Sequence, residues 1–218
     1  MVGPLLAHFE IAPPIVGFAV LAIGILDALI ALVSGTIALL RGGAVSRSAA
    51  MRGVVAGALV LAGVIIAASR GGSVPRINDI TTDTVNPPQF VQAARLDENQ
   101  GRDLSYPGET FAAQQREGYG EIAPLKMAVE PGAAFARVFE VANGMKTWEI
   151  TLADPGRGVI EGVDTSWLFR FKDDFVIEVR PEGSGAAVHM RSKSRVGRGD
   201  VGANAARIRD FFARVSAP

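Results

Sequence analysis

Two long apolar segments stand near the N-terminus of the chain. Residues 15–40 are almost entirely apolar, and Asp27 is their only charged residue. Residues 53–69 show the same pattern and lie between Arg52 and Arg70, whose aliphatic stems can reach the polar edge of a bilayer. A helix crosses the hydrocarbon core with about 20 apolar residues. The pattern therefore predicts two transmembrane helices.

These two helices divide the chain into three parts. Residues 1–14 form an N-terminal segment, residues 15–70 a two-helix transmembrane hairpin and residues 71–218 a soluble domain. A cleavable signal peptide is the alternative for the second apolar segment, which follows arginines and ends in Ala67-Ala68-Ser69. The presence of a span before it favours a second pass through the membrane.

The sequence Gly71-Gly72-Ser73-Val74-Pro75 marks the start of the soluble domain, because the composition changes there from apolar to mixed. Residues 71–123 are rich in proline, glycine and asparagine, which predicts an extended arm with short helical pieces near 89–95 and 110–117. We expect this arm to wrap around a core formed by residues 124–218.

Alternation of apolar and polar residues predicts five strands in that core. They are expected near residues 125–129, 148–152, 159–171, 175–179 and 188–190. Short turn sequences join the last four strands, and Lys172-Asp173-Asp174 is the expected turn between the third and the fourth. Strands joined in this way form an antiparallel sheet.

Two helices are predicted beside these strands. The first begins at Pro131, which tolerates the missing N–H of a first helical residue, and ends at Asn143-Gly144 as a left-handed stop. The second follows a capping Asp200 and leaves Arg207 and Arg209 off its apolar face. The order β-α-β-β-β-β-α indicates an α+β fold, with an antiparallel sheet packed with helices.

The positions of the arginines predict the side of the membrane on which the domain lies. Arg41, Arg47 and Arg52 cluster around the connection between the spans, whereas residues 1–14 contain no lysine or arginine. Positively charged connections stay in the cytoplasm. We therefore expect a two-pass protein of the inner (cytoplasmic) membrane with a periplasmic soluble domain. The chain has no cysteine to carry a lipid anchor, so the spans provide the tether.

Four blocks of the soluble domain resemble a known family. They are PRINDITTD with NPPQF (75–90), QQREGYGEIAP (114–124), VIEGVDTSWLFRFKDDFVIEVRP (159–181) and RSKSRVGRGDVGANAARIRDF (191–211). In this order they resemble the family catalogued as domain of unknown function 1499, found in bacteria and plastids. Gly120 departs from the pattern, since many relatives have proline there. The resemblance implies a membrane-associated or exported setting and no particular activity.

The last strand and the loop after it carry the candidate ligand-binding residues. Residues 71–188 contain 11 basic and 18 acidic side chains, whereas residues 189–218 contain seven basic and two acidic ones. The candidates are Arg191, Lys193, Arg195 and Arg198. Together with the N-terminus of the final helix they could converge on an anion such as a phosphate or a carboxylate. The alternative is internal pairing with acidic residues of the same domain, such as Asp173 and Asp174.

Polar and small residues within the spans are candidates for contacts in the membrane. A carboxylate such as Asp27 is costly near the middle of a bilayer and usually has a partner or a function. A polar residue that the span simply tolerates is the alternative. Gly53 and Gly57 are spaced so that two helices can approach closely, although glycines facing lipid would give the same pattern.

Residues suited to catalysis are few. Ser192 and Ser194 are candidate nucleophiles, but alternation along a strand directs Lys193 and His189 to the opposite face. The chain contains no G-x-S-x-G motif, and its two histidines do not have metal-ligand spacing. The sequence therefore favours a role other than catalysis and indicates neither a cofactor nor a metal.

The residues together favour a membrane-anchored, extracytoplasmic binding or accessory module. The expected partners are the lipid bilayer and either an anionic envelope component or another membrane protein. Nucleic acid is not expected, because acidic residues slightly outnumber basic ones in the soluble domain. A small envelope hydrolase and a structural subunit of a membrane complex are the alternatives.

Overall fold

The computed structural model describes residues 2–42, 46–69 and 75–217 of the chain. Two units are present. The helical unit comprises Met1–Ser73 with Trp167–Arg170, and the sheet unit comprises Val74–Ser166 and Phe171–Pro218. Arg70 and the predicted domain boundary at residues 71–74 lie outside the described residues.

The described part of the helical unit contains three helices, α1 (Gly3–His8), α2 (Pro14–Arg41) and α3 (Arg47–Ser69). The helix α2 has 28 residues and α3 has 23, which correspond to about 42 and 34 Å at 1.5 Å per residue. Both lengths exceed a hydrocarbon core of about 30 Å. Only 6% of the most apolar part of α2 and 11% of that of α3 is buried, unlike the core helix of a soluble protein.

Small residues allow α2 and α3 to pack closely. A Cβ atom on Gly57 would lie 2.5 Å from the Ala28 carbonyl oxygen, and one on Gly35 would lie 2.8 Å from the Ala50 carbonyl oxygen. Such close approach of two backbones strengthens dispersion contacts between membrane helices. At Gly53 the nearest atom, the Ala31 oxygen, would be 3.4 Å away, so this residue contributes less to the packing.

The sheet unit is built on antiparallel strands. They are β1 (Asp79–Thr81), β2 (Leu125–Met127), β3 (Trp148–Asp154), β4 (Val159–Thr165), β5 (Lys172–Glu182) and β6 (Gly185–Ser194). The order across the sheet is β1-β6-β5-β4-β3. The strand β2 also pairs with β6, beside residues 186–188, while β1 pairs with residues 191–193. The last strand in sequence is therefore next to three others.

Helices cover one face of this sheet. They are α4 (Glu109–Gly118), α5 (Pro131–Asn143) and α6 (Ala203–Ser216) in chain order, of which α5 and α6 pack on the strands. Buried Phe175, Met190 and Phe211 belong to the core between sheet and helices. A Cβ atom on Gly162 would lie 2.4 Å from the Phe175 ring, so a glycine in β4 leaves the space that this ring fills.

The arm covers the other face of the sheet with little regular structure. Two short 3-10 helices, Ala93–Arg95 and Asp97–Asn99, lie in this segment. Its backbone and side chains meet a row of charged residues on β4, β5 and β6, among them Glu161, Asp174 and Arg191. One face of the sheet is thus apolar and the other is polar but covered.

The predicted α+β class and the two apolar helices are confirmed, and the strands and helices follow in the predicted order. Two details were wrong. The arm contains the strand β1, and Gly144 has φ −84°, so α5 does not end in a left-handed residue. The helix α1, before the first span, was not predicted.

The turn between β4 and β5 was also misplaced. It comprises residues 166–171, and the expected turn residues Asp173 and Asp174 belong to β5, where they pair with Asp164 and Val163 of β4. Two adjacent aspartates are typical of turns, but here Arg207 and Arg195 neutralise their carboxylates. Arg207 is itself buried on α6, contrary to its predicted place off the apolar face.

Candidate functional site

The strand β6 carries a polar cluster on each face. Side chains alternate along a strand, so Arg191 and Lys193 point to the arm, as does Arg195, which directly follows β6, whereas Ser192 and Ser194 point to α6. The two candidate nucleophiles are therefore on the face opposite Lys193, as the alternation predicts. Each cluster has its own partners.

The arm-side cluster centres on Asp79 in β1. Its carboxylate accepts two hydrogen bonds from the Arg191 guanidinium, from Nε at 2.9 Å and from Nη2 at 2.8 Å, and one from Lys193 Nζ at 2.9 Å. The side chains of Asp79 and Arg191 are both fully buried. Bidentate geometry of this kind makes a strong charge-assisted pair.

The arm completes the surroundings of Arg191. Its Nη1 donates to the Pro88 carbonyl at 3.2 Å and its Nη2 to the Leu104 carbonyl at 2.8 Å. The guanidinium carbon lies 4.8 Å from the centre of the Phe90 ring and 5.5 Å from that of Tyr106. Burial, and then the nearby Asp79 carboxylate, raise the pKa of Tyr106 to about 12, so its hydroxyl stays neutral.

A second buried carboxylate, Asp174, neutralises Arg195. Arg195 Nη2 donates to Asp174 Oδ1 at 2.6 Å, while Arg102 and Asn99 of the arm donate to Oδ2 at 3.0 and 3.1 Å. Arg102 also donates to the Ser194 carbonyl at 3.0 Å. Arg195 is therefore held in place by a residue of β5 and by the arm.

The buried Glu161 of β4 binds backbone rather than a cation. Its carboxylate accepts three N–H groups, from Val91 at 2.8 Å, Gln92 at 2.9 Å and Ala93 at 2.8 Å. These residues lead into the 3-10 helix Ala93–Arg95, whose first N–H groups need acceptors. The side chain thus fixes the arm to the sheet.

His189 lies further along the same face of β6 and is also buried. Its Nδ1 is 3.7 Å from Asp83 Oδ2 and 3.5 Å from Arg180 Nη1. Burial, and then the Arg180 charge, lower the pKa of His189 more than Asp83 raises it. Burial alone would raise the pKa of Asp83, but the N–H groups of Asn86 and Val85 and the Arg180 guanidinium lower it overall.

The helix-side cluster joins β4, β5 and α6. Arg207 Nη2 donates to Asp164 and Asp173 at 2.6 Å each, and Arg207 Nη1 donates to Ser192 Oγ at 2.7 Å. Burial would lower the pKa of Arg207, but the two carboxylates raise it overall. The second oxygen of Asp164 is buried and has no hydrogen-bond partner among the described residues.

Asn204 holds the two serines of β6. Ser192 Oγ donates to Asn204 Oδ1 at 2.7 Å, and Asn204 Nδ2 donates to Ser194 Oγ at 2.9 Å. Both hydroxyls are buried. A serine nucleophile needs a base that accepts its proton, and the amide of Asn204 cannot serve as one.

Arg198 lies apart from the other three basic candidates. It is exposed in the loop between β6 and α6, and no hydrogen bond or ion pair joins it to another described residue. In the same loop the β-branched Val201 has φ +54° and a side chain that is 76% exposed. Such a backbone conformation is strained for a β-branched residue.

The N-terminus of α6 beside this loop is already occupied. Asp200 accepts the N–H groups of Gly202 at 2.9 Å and of Asn204 at 2.7 Å. The N-cap residue is Gly202 rather than the predicted Asp200, whose carboxylate binds the first turn from two residues further back. The capping carboxylate also repels an anion at this point, so the helix end adds little to anion binding by Arg198.

The intramembrane candidate Asp27 is exposed on α2 and contacts no other described polar group. Among the described residues, no group of three or more histidine, aspartate or glutamate side chains is arranged to hold a metal ion.

The sequence of the chain matches the model of a known protein family. The family model described as "Protein of unknown function (DUF1499)" matches residues 79–215, more than half of the chain. The chain belongs to this family. The comparison with curated proteins gives no match. The matched part of the DUF1499 domain runs from Asp79 in β1 to Val215 in α6, so it contains both polar clusters.

The sequence pointed to the basic residues of the DUF1499 domain and to Asp174, the partner of Arg195, but not to Asp79, the partner of Arg191 and Lys193. Asp79 lies 112 residues before Arg191, and no local pattern connects the two. Arg102 and Arg207 were missed because arginine is usually exposed. Alternation along the strands is the signal that could have singled out Asp174 as one of these partners, because it places the basic side chains of β6 on the same face of the sheet as Asp174 of β5.

We expect Asp79→Asn to lower the free energy of unfolding of the DUF1499 domain by about 3–5 kcal/mol. The substitution keeps the shape of the side chain but leaves buried Arg191 and Lys193 without a counter-charge. Urea unfolding of the full chain in detergent, followed by tryptophan fluorescence, measures the change. Glu109→Gln is the control, because its ion pair with Arg116 is exposed and should contribute less than about 1 kcal/mol. Equal losses in the two variants would contradict this assignment.

His189 should titrate below the usual histidine pKa of 6.5. The neutral imidazole is favoured in the folded state, so the unfolded state takes up its proton first and stability falls as the pH drops below 6.5. NMR of histidine-labelled protein measures the pKa directly, and His8→Gln identifies the signal. His189→Gln should make the free energy of unfolding depend less on pH below 6.5. A His189 pKa at or above 6.5 would refute the prediction.

Proposed function

We propose that this chain is a membrane-anchored, extracytoplasmic binding or accessory module. One observation carries the proposal: two largely unburied apolar helices, each long enough to cross a bilayer, precede the DUF1499 domain in the chain. Apolar side chains over the whole surface of a helix are stable in lipid and costly in water. The close packing of α2 and α3 at Gly35 and Gly57 supports a hairpin that remains in the membrane as a unit.

The charge distribution supports a cytoplasmic connection between the two helices. Arg41 ends α2, and Arg47 and Arg52 lie in the first turns of α3. Arginines at this end of the hairpin favour retention in the cytoplasm. The DUF1499 domain, which follows α3, would then be periplasmic and the hairpin would lie in the inner membrane.

The loop between β6 and α6 supports binding of an anionic envelope component. Arg191 and Lys193 both pair with Asp79, and Arg195 pairs with Asp174, so these three side chains are less available to a ligand. Arg198 is exposed in this loop and pairs with no described residue. Its guanidinium can donate two parallel hydrogen bonds to a phosphate or a carboxylate.

A second arginine lies beside this loop. A Cβ atom on Gly199 would be 3.3 Å from Arg76 Cα, so the backbone of Arg76 adjoins the loop. Arg76 is exposed, like Arg198. We propose that the two guanidinium groups bind one lipid phosphate together.

A hydrolase is less well supported. The hydroxyls of Ser192 and Ser194 are buried and bonded to Asn204, and Lys193 is on the other face of β6. A structural role in a membrane complex has one observation in its favour. Asp27 is exposed on α2, where a polar group of a second membrane protein could pair with it.

Cysteine labelling should place the domain and the α2–α3 connection on opposite sides of the membrane. The chain has no cysteine, so Ser184→Cys in the turn after β5 and Ser48→Cys at the start of α3 each give a single reactive site. With the outer membrane permeabilised, an impermeant maleimide should label the Ser184→Cys chain at once. The Ser48→Cys chain should react only after detergent is added. The opposite result would reverse the proposed orientation.

Arg198→Glu should weaken binding of an anionic lipid headgroup about tenfold, because it removes one charge-assisted contact. The probe is short-chain phosphatidylglycerol, added to the full chain in uncharged detergent and measured by calorimetry. Binding to the unchanged chain should fall as salt is raised. Arg95→Glu is the control, since Arg95 is also exposed but lies in the arm. Absence of binding, or equal loss in both variants, would exclude this loop as the site.

A further inference from the structure

The helical unit contains an exposed group of large apolar side chains outside its two long helices. They come from the N-terminal segment and from the loop after β4. We call them the collar, and its members are Leu5, Phe9, Ile11, Trp167 and Leu168. The side chain of Trp167 is 70% exposed, that of Phe9 66% and that of Ile11 71%. Exposed apolar residues in a cluster mark a surface that contacts a partner or a membrane.

The two segments of the collar are joined by specific contacts. His8 Nδ1 donates to the Trp167 carbonyl at 2.8 Å, and the two rings lie 5.1 Å apart. Arg170 Nη2 donates to Glu10 Oε1 at 2.9 Å. Arg170 has φ +60°, which costs energy for a residue other than glycine and indicates that the surroundings fix the loop. The exposed side chains are therefore presented by an ordered surface.

The collar adjoins the first turns of α2. The Phe169 ring of the loop lies 5.6 Å from the ring of Phe18, which is near the start of that helix. The exposed apolar surface of α2 continues from Ile15 and Phe18 along the helix. If α2 spans a bilayer, the collar is at the depth where the span meets the headgroups.

The composition of the collar fits that depth. Tryptophan is enriched where the hydrocarbon core meets the headgroups, because its ring has an apolar body and a polar N–H. The charges beside the collar, Glu10 and Arg170, neutralise each other, so no unpaired charge would need to enter the membrane. The N–H of Trp167 and the Arg170 guanidinium can also face lipid phosphates.

We propose that the collar inserts into the interface of the bilayer, at the acyl–headgroup boundary around the start of α2. The loop between β4 and β5 is then a second membrane contact, contributed by a segment far from the spans in sequence. This proposal rests on the proposed membrane anchoring. It goes further by predicting how deep the side chain of Trp167 lies in the bilayer.

Tryptophan quenching in vesicles tests the depth. The chain has two tryptophans, and the other, Trp148, packs against Phe175 and Phe211 at 4.1 and 5.0 Å between ring centres. Full-length Trp148→Phe protein is reconstituted in phosphatidylcholine that carries bromine either close to the headgroup or in the middle of the acyl chain. Trp167 emission should be lost more strongly with the shallow bromine than with the deep one, and aqueous iodide should have little effect.

Trp167→Phe is the matched control. It leaves Trp148, which is partly buried and packs against the core of the sheet unit, so neither brominated lipid should reduce its emission. Subtracting the emission of the Trp167→Phe protein from that of the unchanged chain also gives the quenching of Trp167. This comparison keeps Trp148 in place. Stronger quenching by the deep bromine, or by iodide alone, would overturn the proposal.

Flotation of the same vesicles in a density gradient separates the two proposals. If the protein floats with the vesicles and Trp167 is quenched by iodide but by neither lipid, the anchoring stands and the collar proposal fails. If the protein does not float and is extracted by alkaline carbonate, the anchoring fails and the collar proposal fails with it.

Discussion

The buried pair between Asp79 and Arg191 is the interaction on which the sheet unit depends most. It joins the first strand of the sheet to the last, and the same guanidinium also binds carbonyls of the arm at Pro88 and Leu104. Taking two charges out of water costs several kcal/mol per ion, which is offset only by good geometry and additional hydrogen bonds. Arg191 has both, so one side chain fixes a strand and a long irregular segment together.

The arm shows how a segment with little regular structure can be held firmly on a sheet. Backbone groups that do not pair within a helix or a ladder still need partners when they are covered. Glu161 supplies acceptors for three N–H groups, and Asp174 binds the side chains of Asn99 and Arg102. The charged face of the sheet therefore takes the place of strand pairing. Its acidic and basic residues hold the fold together, whereas Arg198 in the loop after β6 is exposed.

Patterns that are local in sequence predicted most of the fold. Apolar length identified the two long helices, and periodicity identified α5, α6 and the order of the strands, because each signal is contained within a short window. The burial of Arg207 and the pairing of β1 depend on residues far away in sequence, and no window contains both partners. The same limit applied to the candidate site. Alternation correctly placed Ser192 and Lys193 on opposite faces of the strand, but it could not identify Asp79 as the carboxylate that binds Lys193.

The position of β6 has a consequence for the order in which the domain can assemble. This strand is near the C-terminus, yet β1 and β2 both pair with it, and its contact with Asp79 spans 112 residues. A nascent chain exposes the arm and β1 long before β6 is synthesised. Until then their polar groups are bound to water instead of to their partners in the folded domain. Such long sequence separations slow folding and extend the lifetime of unpaired strand edges. Protection of these unpaired strands would matter most in the interval before β6 has been synthesised.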